Sequence, residues 1–111
     1  MVARVLDAKK ATDVVLLDVS QLLWITDVFA IASGTSNRHV QSLADEVEFK
    51  LRDVERRPLR VEGRKEAEWV LLDYGDVVVH VFQPTVREYF TLERLWGDAP
   101  CLEWEPAATE A

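Results

Sequence analysis

The sequence has few of the residues on which disulfide-bonded, membrane-spanning and metal-binding proteins depend. Cys101 is the only cysteine, so no disulfide forms within the chain and a reducing cytoplasm is the expected setting. No apolar run approaches the roughly 20 residues of a membrane-spanning helix, and residues 1–10 lack the hydrophobic stretch of a secretory signal. His39 and His80 are too few for a typical zinc site. These absences favour a cytoplasmic domain without a metal or cofactor.

Positive charge is also scarce, with 13 Lys and Arg against 20 Asp and Glu and a net charge of −7. Nucleic-acid binding needs clustered cations, so the composition predicts little direct contact with nucleic acid. The main basic cluster comprises Arg56, Arg57, Arg60, Arg64 and Lys65. Glu62 and Glu66 interrupt it, which is typical of a solvated loop. An acidic domain is better suited to a basic protein partner.

The first half of the chain predicts two buried strands and a helix. Val14–Val19 and Asp27–Ser33 are short apolar runs, joined by a connection at Leu22–Ile25. Thr35 or Ser36 can cap a following helix. Its apolar face is predicted to contain Val40, Leu43, Ala44, Val47, Leu51 and Val54.

The second half predicts an edge strand, a hairpin and a second helix. Pro58 is expected to end the first helix, and Leu59–Glu62 to form a short edge strand. Trp69–Asp73 and Val77–Phe82 read as hairpin strands.

With Tyr74-Gly75 as a two-residue loop, the expected partners are Asp73 with Asp76, Leu71 with Val78, and Trp69 with His80. Trp69, Leu71, Val78 and His80 would then share one face. Facing aspartates repel, so this hairpin end must be well solvated or must meet a cation.

After Pro84, Thr85-x-x-Glu88 is a capping-box pattern that opens a helix ending near Gly97. The element order therefore predicts one α/β domain with a mixed sheet flanked by helices. Its expected extent is residues 1–100, and residues 101–111 are expected to form a flexible tail.

Three groups of residues could carry chemistry. Gly34 to His39, at a helix start, could bind phosphate, but the lysine of a P-loop is missing and an ordinary helix cap is favoured. Gly34 to Ser36 together with Asp73 and Asp76 leave a nucleotidyltransferase-like or nucleotide-binding enzyme as an alternative, although these carboxylates lie at a turn rather than at two-metal spacing. His80 could be a general base, a partly buried histidine bonded beside Trp69, or part of a partner-covered face.

Aromatic residues are concentrated between positions 69 and 96. Trp69, Tyr74, Tyr89, Phe90 and Trp96 lie in the predicted hairpin and final helix. They can fill the core or anchor an interface, since Trp and Tyr are common interface anchors.

Two long motifs resemble one known family. They are A-S-G-T-S-N-R-H-V-Q-S-L-A-D-E-V at 32–47, and W-V-L-L-D-Y-G-D-V-V-V-H-V-F at 69–82 followed by R-E-Y-F-T-L-E-R-L-W-G-D-A-P at 87–100. Together with Asp18-Val19 and Thr26-Asp27, they resemble the ribosomal silencing factor family, also called Iojap-related proteins. The chain departs from the family pattern at Leu22-Leu23-Trp24 and in a shorter N-terminal helix.

The resemblance implies a fold related to nucleotidyltransferases that lacks the catalytic carboxylates, and therefore no enzyme activity. It implies binding to the fourteenth protein of the large ribosomal subunit, which blocks subunit joining and damps translation when nutrients are scarce. Organellar relatives act in large-subunit assembly, and a homodimer is possible.

The same resemblance implies a set of partner-binding residues within the second motif: Trp69, Asp73, Tyr74, Asp76, His80, Tyr89, Phe90, Leu92 and Trp96. Trp69, Tyr74 and the helix aromatics would bury apolar area against the partner. Asp73 and Asp76 would offer carboxylates to its Lys or Arg, and His80 would order the sheet face through a hydrogen bond.

Overall fold

The computed structural model describes residues 2–20, 26–83 and 101–102, which form two helices and six strands. In chain order these are α1 (Val2–Ala8), β1 (Thr12–Asp18), β2 (Val28–Ser33), α2 (Asn37–Arg52), β3 (Arg60–Glu62), β4 (Trp69–Asp73), β5 (Val77–Phe82) and β6 (Cys101–Leu102). Neither described helix is long and apolar enough to cross a membrane. The predicted Leu22–Ile25 connection and the helix after Pro84 lie outside the described residues.

The strands form one mixed sheet in the order β3-β4-β5-β2-β1-β6. β2 and β5 run parallel, with Val28 beside Val77 and Ser33 beside Phe82, and the other neighbouring strands are antiparallel. A parallel pair needs a long crossover connection, and α2, β3 and β4 supply it here. The predicted α/β fold with a mixed sheet is confirmed.

Helix α2 begins as predicted, and Ser36 is its cap. The Ser36 Oγ accepts the backbone N–H of His39 over 3.1 Å, which satisfies one of the free donors of the first turn. The predicted apolar face is buried at five positions: Val40, Leu43, Ala44, Val47 and Leu51.

The end of α2 differs from the prediction. The helix stops at Arg52, before Pro58 is reached, because the chain enters a Schellman-type turn in which Glu55 has a φ of 63°. In this turn the N–H of Arg56 donates to the Leu51 carbonyl over 2.8 Å. Val54 therefore lies beyond the helix, 53% exposed, and does not belong to its buried face.

Both described helices pack on one face of the sheet. Helix α1 was indicated only by the family resemblance and not by periodicity, since its seven residues give a weak periodic signal, yet Leu6 is fully buried against the helix-side core. The sheet residues of this core are Ala30, Ala32, Val70, Leu72, Val79 and Val81.

The opposite sheet face carries a separate core. Its buried members are Leu17, Val19, Phe29, Ile31 and Phe82, with Val15, Trp69 and Val78 packed against them. We call this side of the sheet the aromatic face, after Phe29, Trp69, His80 and Phe82. The sheet is thus buried on both sides, as expected for strands whose apolar residues are nearly continuous.

The hairpin strands have the predicted bounds but a different register. Asp73 pairs with Val78, Leu71 with His80, and Trp69 with Phe82. The loop residues are Gly75 and Asp76, because Gly75 adopts a φ of 90° and takes the first loop position, where a two-residue turn of the II′ type requires glycine. The predicted shared face survives, since a displacement of two positions preserves side-chain alternation.

The first two residues of the predicted tail form a strand. Cys101 and Leu102 form β6 and pair with Leu17 and Leu16 at the edge of the sheet. The backbone of these two residues extends the sheet beyond β1, and a flexible tail stays a prediction. Residues 103–111 lie outside the described part of the chain.

Candidate partner-binding surface

Trp69 and His80 form a hydrogen-bonded pair on the aromatic face. The indole Nε1 donates to Nδ1 of His80 over 3.1 Å. The two residues are diagonal neighbours on β4 and β5 rather than direct partners. The indole is partly buried and stacks on Phe82, with ring centroids 5.0 Å apart. Of the alternatives for His80, the histidine bonded beside Trp69 is the one observed.

Burial keeps His80 uncharged near neutral pH. The residue is 4% exposed, and this burial lowers the pKa of its imidazole to about 4. Phe29 meets the imidazole edge-on at a centroid distance of 4.7 Å. Because Nδ1 accepts the indole hydrogen, the imidazole carries its own hydrogen on Nε2. Nε2 has no hydrogen-bond partner among the described residues.

The two aspartates at the hairpin end each meet an arginine. Arg56 Nη2 lies 2.6 Å from Asp76 Oδ1, and Arg60 Nε lies 3.7 Å from Asp73 Oδ2. The hydrogen bond from Arg56 holds the pKa of the Asp76 carboxyl below its usual range. The second Asp73 oxygen, Oδ1, accepts the N–H of Gly75 over 2.9 Å. In the observed register Asp73 and Asp76 do not face each other, and each carboxylate is already paired with an arginine of the chain.

Tyr74 occupies a position different from the one expected of an interface anchor. It is 6% exposed and belongs to the helix-side core, and burial raises the pKa of its hydroxyl. The Cζ of Arg56 lies 5.7 Å from the ring centroid, so a guanidinium covers the ring. The alternation of β4 was the signal for this, because residue 74 follows Val70 and Leu72 on the helix side. Little of Tyr74 remains for a partner to contact.

The turn is also bound to the start of β2 through a single acceptor that sequence reasoning missed. The main-chain oxygen of Asp76 accepts hydrogen bonds from Asp27 N at 2.9 Å, Val28 N at 3.1 Å and Thr26 Oγ1 at 3.0 Å. Thr26 and Asp27 belong to the family motif, which was the only signal for this contact. These bonds place the β4–β5 turn beside β2.

The loop from Gly34 to His39 acts as a helix cap. The Thr35 N–H donates to His39 Nδ1 over 2.9 Å, and the Gly34 N–H donates to the Phe82 carbonyl over 2.8 Å. His39 Nε2 donates to the Lys9 carbonyl over 2.8 Å, which joins the end of α1 to the start of α2. His39 therefore bridges the two described helices.

Within residues 2–20, 26–83 and 101–102, no group of three His, Cys, Asp or Glu side chains could hold a metal ion. The carboxylates on α2 bind a cation of the chain instead, since Arg64 forms ion pairs with Asp45 and Glu48. Asp73 and Asp76 are likewise engaged by arginines. Among described residues, nothing in this arrangement favours the nucleotidyltransferase alternative.

Four members of the predicted partner-binding set lie outside the described residues: Tyr89, Phe90, Leu92 and Trp96. The other five lie on β4, β5 and the turn between them, with Trp69 and His80 on the aromatic face. Contact of any of these residues with a partner stays a prediction.

Fold and site together define a small α/β domain with a mixed sheet, whose candidate site is built from aromatic rings and paired charges. The chain belongs to the ribosomal silencing factor family: it matches the family described as "Ribosomal silencing factor during starvation" over residues 1–111.

Individual relatives agree with this membership. The chain is 46% identical over 99 residues to "Ribosomal silencing factor RsfS" of Halalkalibacterium halodurans, a match that covers 89% of this chain and 85% of the relative. A crystal structure of a protein from Chromobacterium violaceum superposes with a TM-score of 0.84 at 38% identity, covering 97% of this chain and 88% of the other.

A mammalian relative shares part of its length with this chain. "Mitochondrial assembly of ribosomal large subunit protein 1" of Mus musculus is 30% identical over 99 residues, which covers 86% of this chain and 43% of that protein.

Proposed function

We propose that this protein binds the large ribosomal subunit in the cytoplasm and represses translation by keeping the small subunit from joining. Membership of the silencing factor family along residues 1–111 is the observation that carries the proposal. The name of the mouse relative, which refers to assembly of the large subunit, supports that subunit as the target. Such a repressor needs affinity but no chemical turnover.

The proposed contact is the fourteenth protein of the large subunit, held by Trp69 on the aromatic face and by the β4–β5 turn. Trp69 lies on β4, is partly buried and offers apolar area on the aromatic face. The Asp76 side chain is 52% exposed, so it can accept a second cation while Arg56 stays bound, since a carboxylate has several acceptor sites. The net charge of −7 favours a basic partner.

We propose that Tyr74 and His80 support the contact surface from within the fold. They are 6% and 4% exposed, so they hold the turn and the indole in place rather than supply contact area. Tyr89, Phe90, Leu92 and Trp96 are proposed to extend the contact. A homodimer is a further proposal, which sedimentation equilibrium of the purified chain would test.

Co-sedimentation with separated ribosomal subunits tests the target. The wild-type chain is expected to pellet with the large subunit and to stay in solution with the small one. Trp69→Ala should weaken binding by about tenfold or more, as truncation of a buried aromatic anchor does. Phe49→Ala is the matched control, because Phe49 is an aromatic 53% exposed on α2, on the other side of the sheet. Equal affinity of the two folded variants would contradict the proposed surface.

Light scattering during subunit mixing tests the mechanism. An excess of the wild-type chain should lower the yield of joined ribosomes, and Trp69→Ala should lower it less. A chain that binds the large subunit while joining proceeds unchanged would contradict steric repression.

A further inference from the structure

We propose that His80 is a positioning residue for Trp69: it fixes the orientation of the indole and has no contact with the partner itself. The inference rests on the proposed function for its effect on binding. Its structural part rests on the hydrogen bond of 3.1 Å from Trp69 Nε1 to His80 Nδ1 and on the 4% exposure of His80. The partner would meet the partly buried indole, behind which the imidazole lies.

The acceptor in this pair is rigidly held. The imidazole lies nearly parallel to the Phe82 ring at an interplanar angle of 8°, and Phe29 packs against it at 65°. These three rings belong to β2 and β5, the parallel pair at the centre of the sheet. Packing between β2 and β5 therefore fixes the direction of the Nδ1 lone pair without any contribution from Trp69.

Stacking alone does not select one indole orientation. Trp69 lies on Phe82 at an interplanar angle of 29°, and such a contact survives when the indole is turned over about χ2, which is a broad torsion. Nε1 lies on one edge of the indole only, so the hydrogen bond to His80 distinguishes the two orientations. Among the contacts between described residues, the hydrogen bond to His80 is therefore the one that selects the edge and face of the indole.

Nuclear magnetic resonance of the free protein tests the orientation without the ribosome. The Trp69 indole N–H resonance is assigned by its loss in Trp69→Phe. His80→Phe keeps a ring but removes the acceptor, and should shift this resonance. His80→Asn places an oxygen acceptor near the former Nδ1 and should return the resonance towards its wild-type position. An unmoved resonance in His80→Phe would overturn the inference.

Affinity for the large subunit tests the consequence. Trp69→Phe and His80→Phe should each weaken binding about five- to tenfold, the size of one oriented hydrogen bond. The affinity of the double variant for the large subunit should be no lower than that of the single variant that binds more weakly, since both changes remove the same contact. Losses that multiply in the double variant, or full affinity in a His80→Phe protein with a shifted resonance, would overturn the positioning role.

Different results would contradict the proposed function and the positioning role of His80. A wild-type chain that pellets with neither subunit would sink the proposed function, and the indole resonance would still decide whether His80 orients Trp69. If circular dichroism shows that His80→Phe does not fold, Trp69→Phe and His80→Asn keep the test open. Trp69→Phe should then weaken binding while His80→Asn retains it, and the reverse order would contradict the inference.

Discussion

Arg56 closes the β4–β5 turn around Asp76. Its Nη2 lies 2.6 Å from Asp76 Oδ1 and 3.1 Å from the Tyr74 carbonyl oxygen, so one nitrogen donates to two residues of the turn. On the other side, the Asp76 carbonyl accepts the N–H groups of Asp27 and Val28. The turn is therefore held between the connection that follows α2 and the start of β2.

Arg56→Ala should lower the midpoint of thermal unfolding and loosen the turn. The variant loses the ion pair with Asp76, the bond to the Tyr74 carbonyl and the cover over the Tyr74 ring. Arg57→Ala is the control, because Arg57 is exposed and forms no ion pair with a described residue. Calorimetry gives the midpoints, and hydrogen exchange at Val28 reports on the turn. Equal midpoints for the two variants would show that Arg56 does not hold the turn.

His80 should make the protein less stable in mild acid. Its pKa is about 4 when folded against 6.5 when unfolded, so between these values the unfolded state binds more protons. The part of the free energy of unfolding that depends on neutral His80 is complete above pH 6.5 and is lost as the pH falls towards 4. Between pH 7 and 4.5 the loss should be about 2 kcal/mol.

Urea unfolding of the wild type and of His80→Phe at both pH values measures this loss. The phenylalanine variant lacks the titrating group, so its stability should fall by about 2 kcal/mol less than that of the wild type. Identical decreases in the two proteins would mean that His80 is not held neutral by the fold.

His39→Ala should release α1 from the start of α2. The substitution removes the acceptor of the Thr35 N–H and the donor to the Lys9 carbonyl, and should lower the free energy of unfolding by about 1–2 kcal/mol. Arg38→Ala, at the adjacent exposed position, should change it by less than about 0.5 kcal/mol. Hydrogen exchange of the α1 amides should quicken in His39→Ala only, and protection equal to that of Arg38→Ala would exclude the bridge.

Leu43→Ala should be among the costlier substitutions in α2. Leu43 is fully buried in the helix-side core, and a leucine-to-alanine change at such a site costs about 2–5 kcal/mol. Leu59→Ala makes the same chemical change at a position 74% exposed and should cost less than about 0.5 kcal/mol. Denaturant unfolding compares the two, and similar midpoints would contradict the packing of α2 on the sheet.

Local sequence patterns were sufficient for helix α2 and for the hairpin strands. Helix α2 appears where the apolar period of 3.6 predicts it, and β4 and β5 appear where two apolar runs flank a short turn. The end of α2 was misplaced at Pro58, because a non-glycine residue, Glu55, takes the left-handed position that stops the helix earlier. Glycine or proline is the usual signal for such an end, and neither stands at that position.

The candidate site was only partly predictable. The alternation of β4 and β5 was enough to place Trp69 and His80 on one face, and the same alternation assigns Tyr74 to the core. The partners of the acids were not predictable, since 20 positions separate Arg56 from Asp76 and 13 separate Arg60 from Asp73. No local period reports a contact over such distances.

Taken alone, the sequence determined the fold class, the family resemblance and the shared sheet face of Trp69 and His80, because these depend on residue type and on spacing along the chain. The tertiary structure decided which residue fills which role. It paired the turn carboxylates with arginines, buried Tyr74 beneath Arg56, and set His80 behind the indole of Trp69. The physical reason is that hydrogen bonds and burial depend on distances across the sheet, which exist only once β2, β4 and β5 lie side by side.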